Sequence, residues 1–152
     1  ITGGGKVLAC GSGASSFIAR HFAAALVGRF ERERPGLAAV ALGADTDEAP
    51  AAALAKQVQA LGAPGDVLVV VTPSGDAPDA VAAVDAARGK EMTGVVLAGR
   101  AAGRLGAMLT ETDVLVAVPH DRPARLQEVH LLVLHCVCDA VDLQLLGEQE
   151  PT

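Results

Sequence analysis

The segment RHFAAALVGRF, residues 20–30, places a histidine in a pattern typical of an amphipathic helix. His21 and Ala25 are four residues apart, so they lie one turn apart on the same helical face. A site made of two reactive groups on this helix would need its second group at position 25, and the alanine side chain transfers no proton. Three interpretations of His21 stay open: a working active site, a disabled one, or a core position.

Two loops rich in glycine and hydroxyl side chains are candidates for binding an anion. CGSGASS, residues 10–16, and TPSGDAP, residues 72–78, each follow a β-rich run and precede a helical one. Glycine lets the backbone approach a ligand, and free N–H groups at a helix N-terminus attract negative charge. The two loops together predict a phosphate ester as ligand, whereas the alternative is a tight turn and a helix cap. The predicted ligand contacts are Ser12, Ser15, Thr72, Ser74, Gly75 and Asp76.

The elements that must position these residues are five short apolar runs with helical stretches between them. Continuous apolar runs indicate strands buried on both faces, and their alternation with helices predicts a parallel sheet. We expect one α/β domain over residues 1–152, a doubly wound three-layer αβα fold with five parallel strands in the flavodoxin-like order 2-1-3-4-5. Ligands bind such sheets where the strand order reverses, beside the two loops. The predicted strands span 6–10, 37–42, 66–72, 93–99 and 113–119, and the longer helices span 15–31, 50–61, 78–88 and 122–146.

Composition and charge argue against several classes of function. The chain has 152 residues, a formal net charge of −6 and 2% aromatic residues. Scattered basic residues and few aromatic rings disfavour direct binding of nucleic acid. No apolar run approaches the ~20 residues of a membrane span, and no signal peptide is recognisable, so we expect a cytoplasmic protein without membrane contact. Reduced thiols are expected at Cys10, Cys136 and Cys138.

Three segments together resemble a known family. They are CGSGASSFIARHFAAALVGRFERERPGL, TPSGDAP and PARLQEVHLLVLHCVCD, and they resemble the sugar isomerase (SIS) domain, in particular its phosphoheptose isomerase branch. That branch contains enzymes that isomerise sedoheptulose 7-phosphate to a heptose phosphate, and also the DiaA proteins, which bind the replication initiator DnaA. The resemblance covers essentially the whole chain. It implies a SIS fold, a phosphorylated sugar as ligand, and a homotetramer whose sites are completed by neighbouring subunits.

The resemblance assigns roles to several polar residues. Three hydroxyl residues match positions that contact the sugar phosphate: Ser15, Thr72 and Ser74. A polar trio matches active-site positions that also hold zinc in some members: His21, Gln127 and His135. For an active enzyme the catalytic candidates are His135, Gln127 and Glu128, the last lying two turns before His135 on the same helix face. No cofactor is required, and zinc at the trio is an alternative with a weak ligand set, since one ligand is a neutral amide.

Three departures from the family pattern favour binding without efficient turnover. The catalytic glutamate of the enzymes falls on Ala25, and the last serine of the phosphate loop falls on Ala77. Family members carry a longer segment with an Asn-Asp pair where this chain has only TDEAPAAALA between Asp45 and Lys56. Isomerisation through an enediol needs a base for the proton alpha to the carbonyl and an acid at the oxygen. Loss of one such group costs ~10²–10⁴ in rate.

We therefore expect a phosphosugar-binding protein of the DiaA type, a homotetrameric scaffold for DnaA without efficient catalysis. The alternative is a phosphoheptose isomerase that converts sedoheptulose 7-phosphate to D-glycero-D-manno-heptose 7-phosphate, and a further alternative is a sugar-phosphate sensor. The charged run RFERERPGL is interpreted as a solvated helix end or as a contact with another subunit. A partner contact is expected at Leu145 and Leu146, and an N-terminal segment is expected to precede Ile1.

Overall fold

The strands form where aliphatic residues run without interruption. In the computed structural model, which describes residues 3–43 and 47–148, five parallel strands make one sheet in the order β2-β1-β3-β4-β5. The strands are β1 (Val7–Gly11), β2 (Ala39–Ala41), β3 (Val67–Val71), β4 (Thr93–Ala98) and β5 (Val114–Ala117). The predicted α/β class, the strand order and the reversal point between β1 and β3 are confirmed.

Helices cover both faces of this sheet. They are α1 (Ser16–Val27), α2 (Pro50–Leu61), α3 (Pro78–Gly89), α4 (Gly103–Met108) and α5 (Pro123–Leu146). Because successive strand residues point to opposite faces, each inner strand contributes to two cores. Leu8 and Leu68 pack in the core that contains α2 and α3, whereas Ala9 and Val69 pack in the core that contains α1 and α5. The three-layer αβα arrangement is therefore confirmed.

Helix α1 ends at Val27, four residues short of its predicted end at position 31. The guanidinium group of Arg34 donates hydrogen bonds to the carbonyl oxygens of Ala25, at 2.8 Å, and Leu26, at 2.9 Å. These bonds satisfy carbonyl groups that have no partner inside the last helical turn. The side chain of Arg34 is 1% exposed, so the interpretation of RFERERPGL as a solvated helix end is wrong for this residue.

Helix α5 packs one stripe of side chains against the rest of the domain. The stripe has a four-residue spacing: Leu126, His130, Leu134, Cys138 and Asp142. Leu134 and Cys138 belong to the core that α1 shares with the sheet. By length and composition α5 is also long and apolar enough to cross a membrane, which corrects the expectation that no stretch approaches that length.

Candidate active site

Two histidines that are 114 positions apart in the sequence meet where α1 packs against α5. Nε2 of His21 lies 2.8 Å from Nε2 of His135, and the ring centroids are 5.1 Å apart with planes inclined by 61°. The ring of Phe30 contacts His135 at a centroid distance of 5.1 Å. At this separation one ring nitrogen donates the hydrogen bond and the other accepts it. Two imidazoles that can exchange a proton therefore lie side by side.

The second imidazole comes from α5 and not from the position one turn after His21. Ala25, which occupies that position, is 7% exposed and belongs to the core between α1 and the sheet. Its carbonyl oxygen accepts a hydrogen bond from Arg34. The side chain that contacts His21 therefore lies 114 positions away, on a different helix.

The two predicted anion-binding loops lie side by side at the carboxyl ends of β1 and β3. The strands are in register there, with Gly11 opposite Val71. The backbone N–H of Ser12 donates to the carbonyl oxygen of Val71 at 3.1 Å. The Ser12 hydroxyl donates to Oδ1 of Asp79, in the first turn of α3, at 2.8 Å. Strand order alone predicts this proximity, and the contacts confirm it.

Thr72 and Ser74 use their hydroxyl groups to shape the second loop. Oγ1 of Thr72 donates to the carbonyl oxygen of Ser74 at 2.9 Å and accepts from the Ser74 N–H at 3.2 Å. Oγ of Ser74 accepts from the backbone N–H of Asp76 at 3.3 Å. Hydrogen bonds of this kind between a hydroxyl and nearby backbone stabilise turns. Contact of either hydroxyl with a ligand stays a prediction.

Gly75 and Asp76 face the segment that precedes α4. A Cβ atom on Gly75 would lie 1.9 Å from the carbonyl oxygen of Ala102, so the loop approaches this backbone as closely as only glycine allows. Oδ1 of Asp76 accepts a hydrogen bond from the N–H of Arg104 at 2.9 Å, at the start of α4. Both residues are predicted ligand contacts, and the structure gives each of them a role within the fold.

Ser15 has a buried hydroxyl group in the first loop. It lies in the short 3-10 turn Gly13–Ser15 that leads into α1, and it is 1% exposed. Its Oγ has no hydrogen-bond partner within the part of the chain that the structure describes. An unpaired buried hydroxyl costs about 1–3 kcal/mol, which an oxygen atom of a bound ligand would recover. Because Ser15 is almost completely buried, its contact with a phosphate stays a prediction.

A cavity of about 690 Å³ opens beside the first loop. This volume lies in the range of about 300–1,000 Å³ typical of small-molecule sites. Ser16, Arg20, Gln57 and Asp79 are among its lining residues. Arg20 also lines an adjoining groove that reaches His21. The first loop, the cavity and the groove beside His21 therefore follow one another along α1.

Comparison with known proteins identifies the family. The profile of the SIS domain matches residues 1–99. The chain belongs to the SIS domain family. The phosphoheptose isomerase of Methylibium petroleiphilum is 62% identical over 160 aligned positions, which cover 100% of this chain and 80% of that protein. The phosphoheptose isomerase of Azoarcus sp. is 53% identical over 154 positions, which cover 96% of this chain and 78% of that protein.

Solved structures share the architecture of this SIS domain. A phosphoheptose isomerase from Francisella tularensis superposes with a TM-score of 0.87 at 42% identity, covering 93% of this chain and 78% of that chain. Phosphoheptose isomerase from Neisseria gonorrhoeae superposes with a TM-score of 0.85 at 44% identity, with the same coverage of 93% and 78%. The resemblance to the SIS domain and its phosphoheptose isomerase branch is thereby confirmed.

These relatives overturn the expectation of a DiaA-type scaffold for DnaA. The two relatives and the two solved structures described above carry the name phosphoheptose isomerase, so the alternative interpretation is the better supported one. The scaffold interpretation rested on three departures from the family pattern: Ala25, Ala77 and the short segment between Asp45 and Lys56. It did not count His21 and His135 as two proton-transfer groups, because the contact between them joins distant parts of the SIS domain.

Gln127 and Glu128 lie away from the histidine pair within one chain. They precede His135 on α5 by eight and seven residues, which corresponds to a helix rise of about 12 Å and 10 Å. Glu128 pairs instead with Arg125 on the surface, with an N–O distance of 3.1 Å. Of the three predicted zinc ligands, one chain of this SIS domain brings together only His21 and His135. Residues 3–43 and 47–148 contain no group of three or more His, Cys, Asp or Glu side chains that could hold a metal ion.

Sequence reasoning missed a buried ion pair that lies between the two helices that carry the histidine pair. Nε of Arg34 lies 2.6 Å from Oδ1 of Asp142, and the two side chains are 1% and 3% exposed. The signal that reveals this pair is Asp142 itself, because a carboxylate on the buried stripe of a helix requires a cationic partner. Asp79 and Arg20, which line the cavity, were also missing from the predicted site.

Two further predictions concern positions at the ends of elements. Leu145 and Leu146 lie in the last turn of α5 and are 40% and 38% exposed, so their contact with a partner stays a prediction. The second prediction concerns the short segment between Asp45 and Lys56. Residues 44–46 lie outside the described residues, and α2 starts at Pro50.

Proposed function

We propose that this SIS-domain protein is a sugar-phosphate isomerase of the phosphoheptose isomerase type, which converts sedoheptulose 7-phosphate to D-glycero-D-manno-heptose 7-phosphate. The observation that carries the proposal is the 2.8 Å contact between the imidazoles of His21 and His135. The name shared by the similar proteins supports the choice of substrate.

The proposed reaction moves protons and no other group. One imidazole takes a proton from C1 of the ketose while the other donates a proton to the C2 carbonyl oxygen, which gives an enediol. The enediol then accepts a proton at C2 and loses the hydroxyl proton at C1, which leaves the aldehyde. Because His21 and His135 contact each other, a proton taken from the substrate can pass between the rings, and both return to their starting state.

The phosphate end of the substrate is proposed to bind where α1 and α3 begin. Backbone N–H groups at helix N-termini bind phosphate without a special side chain, and Ser15 adds a buried, unpaired hydroxyl. The cavity then continues along Arg20 towards His21, so the carbonyl end of the sugar would reach the imidazoles. A substrate with one charged end and one reactive end fits this arrangement.

The proposed reaction uses no zinc ion. Zinc sites take three or four ligands from cysteine, histidine and carboxylate side chains, and the donor set of one chain, two imidazoles, does not fit that requirement. Activity after dialysis against EDTA tests this point. We expect kcat to be unchanged, and a loss that added zinc restores would show that a neighbouring subunit completes a metal site.

We also propose the homotetramer that the resemblance implies. Large apolar side chains on α1 and α5 are exposed in the single chain: Phe17 by 68%, Val27 by 51%, Leu132 by 61% and Leu143 by 48%. Exposed apolar surface of this kind is typical of contacts between chains. Light scattering of the purified protein tests the proposal, and a monomer at micromolar concentration would overturn it. The cytoplasmic location stays a prediction.

Turnover of sedoheptulose 7-phosphate by the wild type and by His21→Gln and His135→Gln is the deciding experiment. Glutamine keeps a hydrogen-bonding side chain of similar length but exchanges no proton near neutral pH. We expect kcat to fall by ~10²–10⁴ in each variant, with KM within a few-fold of the wild-type value. Binding of the sugar phosphate without turnover by the wild type would overturn the proposal and leave the sensor alternative.

A further inference from the structure

The guanidinium group of Arg34 connects the two helices that carry the histidine pair. On α1 it donates to the carbonyl oxygens of Ala25, at 2.8 Å, and Leu26, at 2.9 Å. On α5 it donates from Nε to Oδ1 of Asp142 at 2.6 Å. Both charged side chains are almost completely buried. A planar guanidinium has its donors in fixed directions, so these bonds hold three groups in one geometry.

The residues that Arg34 contacts lie a whole number of helical turns from the histidines, on both helices. Ala25 follows His21 by one helical turn, and Asp142 follows His135 by seven residues, or two turns on the same helical face. A slip of one residue along either helix would move an imidazole by about 1.5 Å. The hydrogen bond between the two Nε2 atoms, now 2.8 Å long, would not survive such a slip.

The remaining contacts between α1 and α5 cannot enforce this register as strictly. Phe22 and Leu26 of α1 share an apolar core with Leu134 and Cys138 of α5. Apolar burial is non-directional, so it tolerates small changes in how two helices slide or rotate. A buried ion pair adds little net stability compared with apolar residues of similar volume. Its directional bonds are the feature that apolar side chains would not replace.

We propose that Arg34 and Asp142 are positioning residues that set the register of α1 against α5 and thereby hold His21 and His135 in contact. Neither residue touches the histidine rings in the proposal; each acts through its helix. The inference deepens the proposed isomerase function and rests on it for the kinetic outcome, whereas the contact between the imidazoles can be measured without any turnover.

The test uses the double variant Arg34→Met/Asp142→Leu, which removes both buried charges together and leaves none unpaired. We expect it to fold, with kcat lower by about 10–100-fold and KM within two-fold of wild type, because a misplacement of about 1 Å is enough for such a loss. The nuclear Overhauser effect between imidazole C–H protons of His21 and His135 should disappear. Arg34→Lys keeps the charge but lacks the planar guanidinium group. Its kcat and its Overhauser effect should lie between those of the wild type and of the double variant.

Arg32→Gln is the matched control. Arg32 belongs to the same charged run and donates to the carbonyl oxygen of Gly147, just after α5, at 2.7 Å, but on the surface. We expect it to keep wild-type kcat and the wild-type Overhauser effect. The same outcome in the folded double variant would overturn the proposal.

The possible results separate this inference from the proposed function. Loss of the Overhauser effect in the double variant, together with a wild type that does not turn over the sugar phosphate, would support the positioning role and reject the isomerase. If the double variant does not fold, kcat and the Overhauser effect are measured on Arg34→Lys instead. An unchanged Overhauser effect with unchanged kcat would reject the positioning role.

Discussion

The hydroxyl group of Ser12 donates a hydrogen bond to the carboxylate of Asp79 at 2.8 Å, which joins the first predicted anion-binding loop to the first turn of α3. Asp79 also lines the cavity in which we place the phosphorylated sugar. A negative charge therefore faces the region where the substrate phosphate is expected.

Asp79→Asn should lower KM for the sugar phosphate about two- to ten-fold. The amide oxygen can still accept the hydrogen bond from Ser12, while the repulsion between a carboxylate and a phosphate dianion disappears. Steady-state kinetics at low salt measures the effect, with the exposed Asp85→Asn on α3 as the control for net charge. A higher KM in Asp79→Asn would mean that the carboxylate binds the sugar instead of repelling its phosphate.

Gly75→Ala should destabilise the fold by about 1–3 kcal/mol, the usual cost of overpacking. The new methyl group would lie 1.9 Å from the carbonyl oxygen of Ala102, so the backbone itself must move. Urea unfolding measures the change. Gly89→Ala is the matched control, because a Cβ at Gly89 has no heavy atom within 4 Å and should be neutral or slightly stabilising. Equal stability of the two variants would contradict the prediction.

Asp113 should contribute stability that is lost in acid. Burial raises the pKa of Asp113, but hydrogen bonds from Thr110 and Gly94 outweigh it and hold the pKa below the ordinary value of 3.8. Because the pKa is lower in the folded state, the contribution is complete well above 3.8 and is lost as pH falls through the folded value.

The comparison of wild type with Asp113→Asn checks this dependence. We expect the variant to be about 1–3 kcal/mol less stable at pH 7, since it weakens bonds to a charged acceptor. In urea unfolding the difference should shrink below pH 3.8. Asp121→Asn is the control, because Asp121 pairs with Arg100 on the surface. A difference for Asp113→Asn that is independent of pH would disprove the electrostatic origin.

His130 should make the fold less stable as the solution becomes mildly acidic. It is fully buried, its Nε2 lies 3.0 Å from the carbonyl oxygen of Ala98, and burial lowers its pKa although this hydrogen bond opposes the shift. The unfolded chain then binds the proton more readily, so stability is complete above the ordinary pKa of 6.5 and falls as pH decreases towards the folded value.

His130→Leu removes this titrating group, so the stability of the variant should depend less on pH than that of the wild type. As pH falls from 7 to 5, we expect the free energy of unfolding of the wild type to decrease more than that of His130→Leu. Only the wild type loses the contribution of a neutral buried imidazole. Chemical unfolding at several pH values gives the result. A constant difference would show that the pKa of His130 is the same in the folded and unfolded states, which would contradict the prediction.

Strands of a parallel sheet were predictable because burial on both faces leaves a continuous apolar run in the sequence. β1 and β3, at the centre of the sheet, match their predicted runs to within a residue at either end. The edge strands β2 and β5 are shorter than predicted, because each pairs with only one neighbour. The end of α1 was misplaced because it depends on Arg34, which reaches back over the last turn from outside the helix.

The sequence by itself determined the α/β class, the strand order and the proximity of Ser12 to the second loop, since these follow from local periodicity and from the rules of parallel sheets. Only the tertiary structure decided that His21 meets His135 and that Arg34 meets Asp142, pairs separated by 114 and 108 positions. Such contacts depend on how α1 and α5 pack side by side. That packing depends on the shapes of many buried side chains together, which no local pattern of residues encodes.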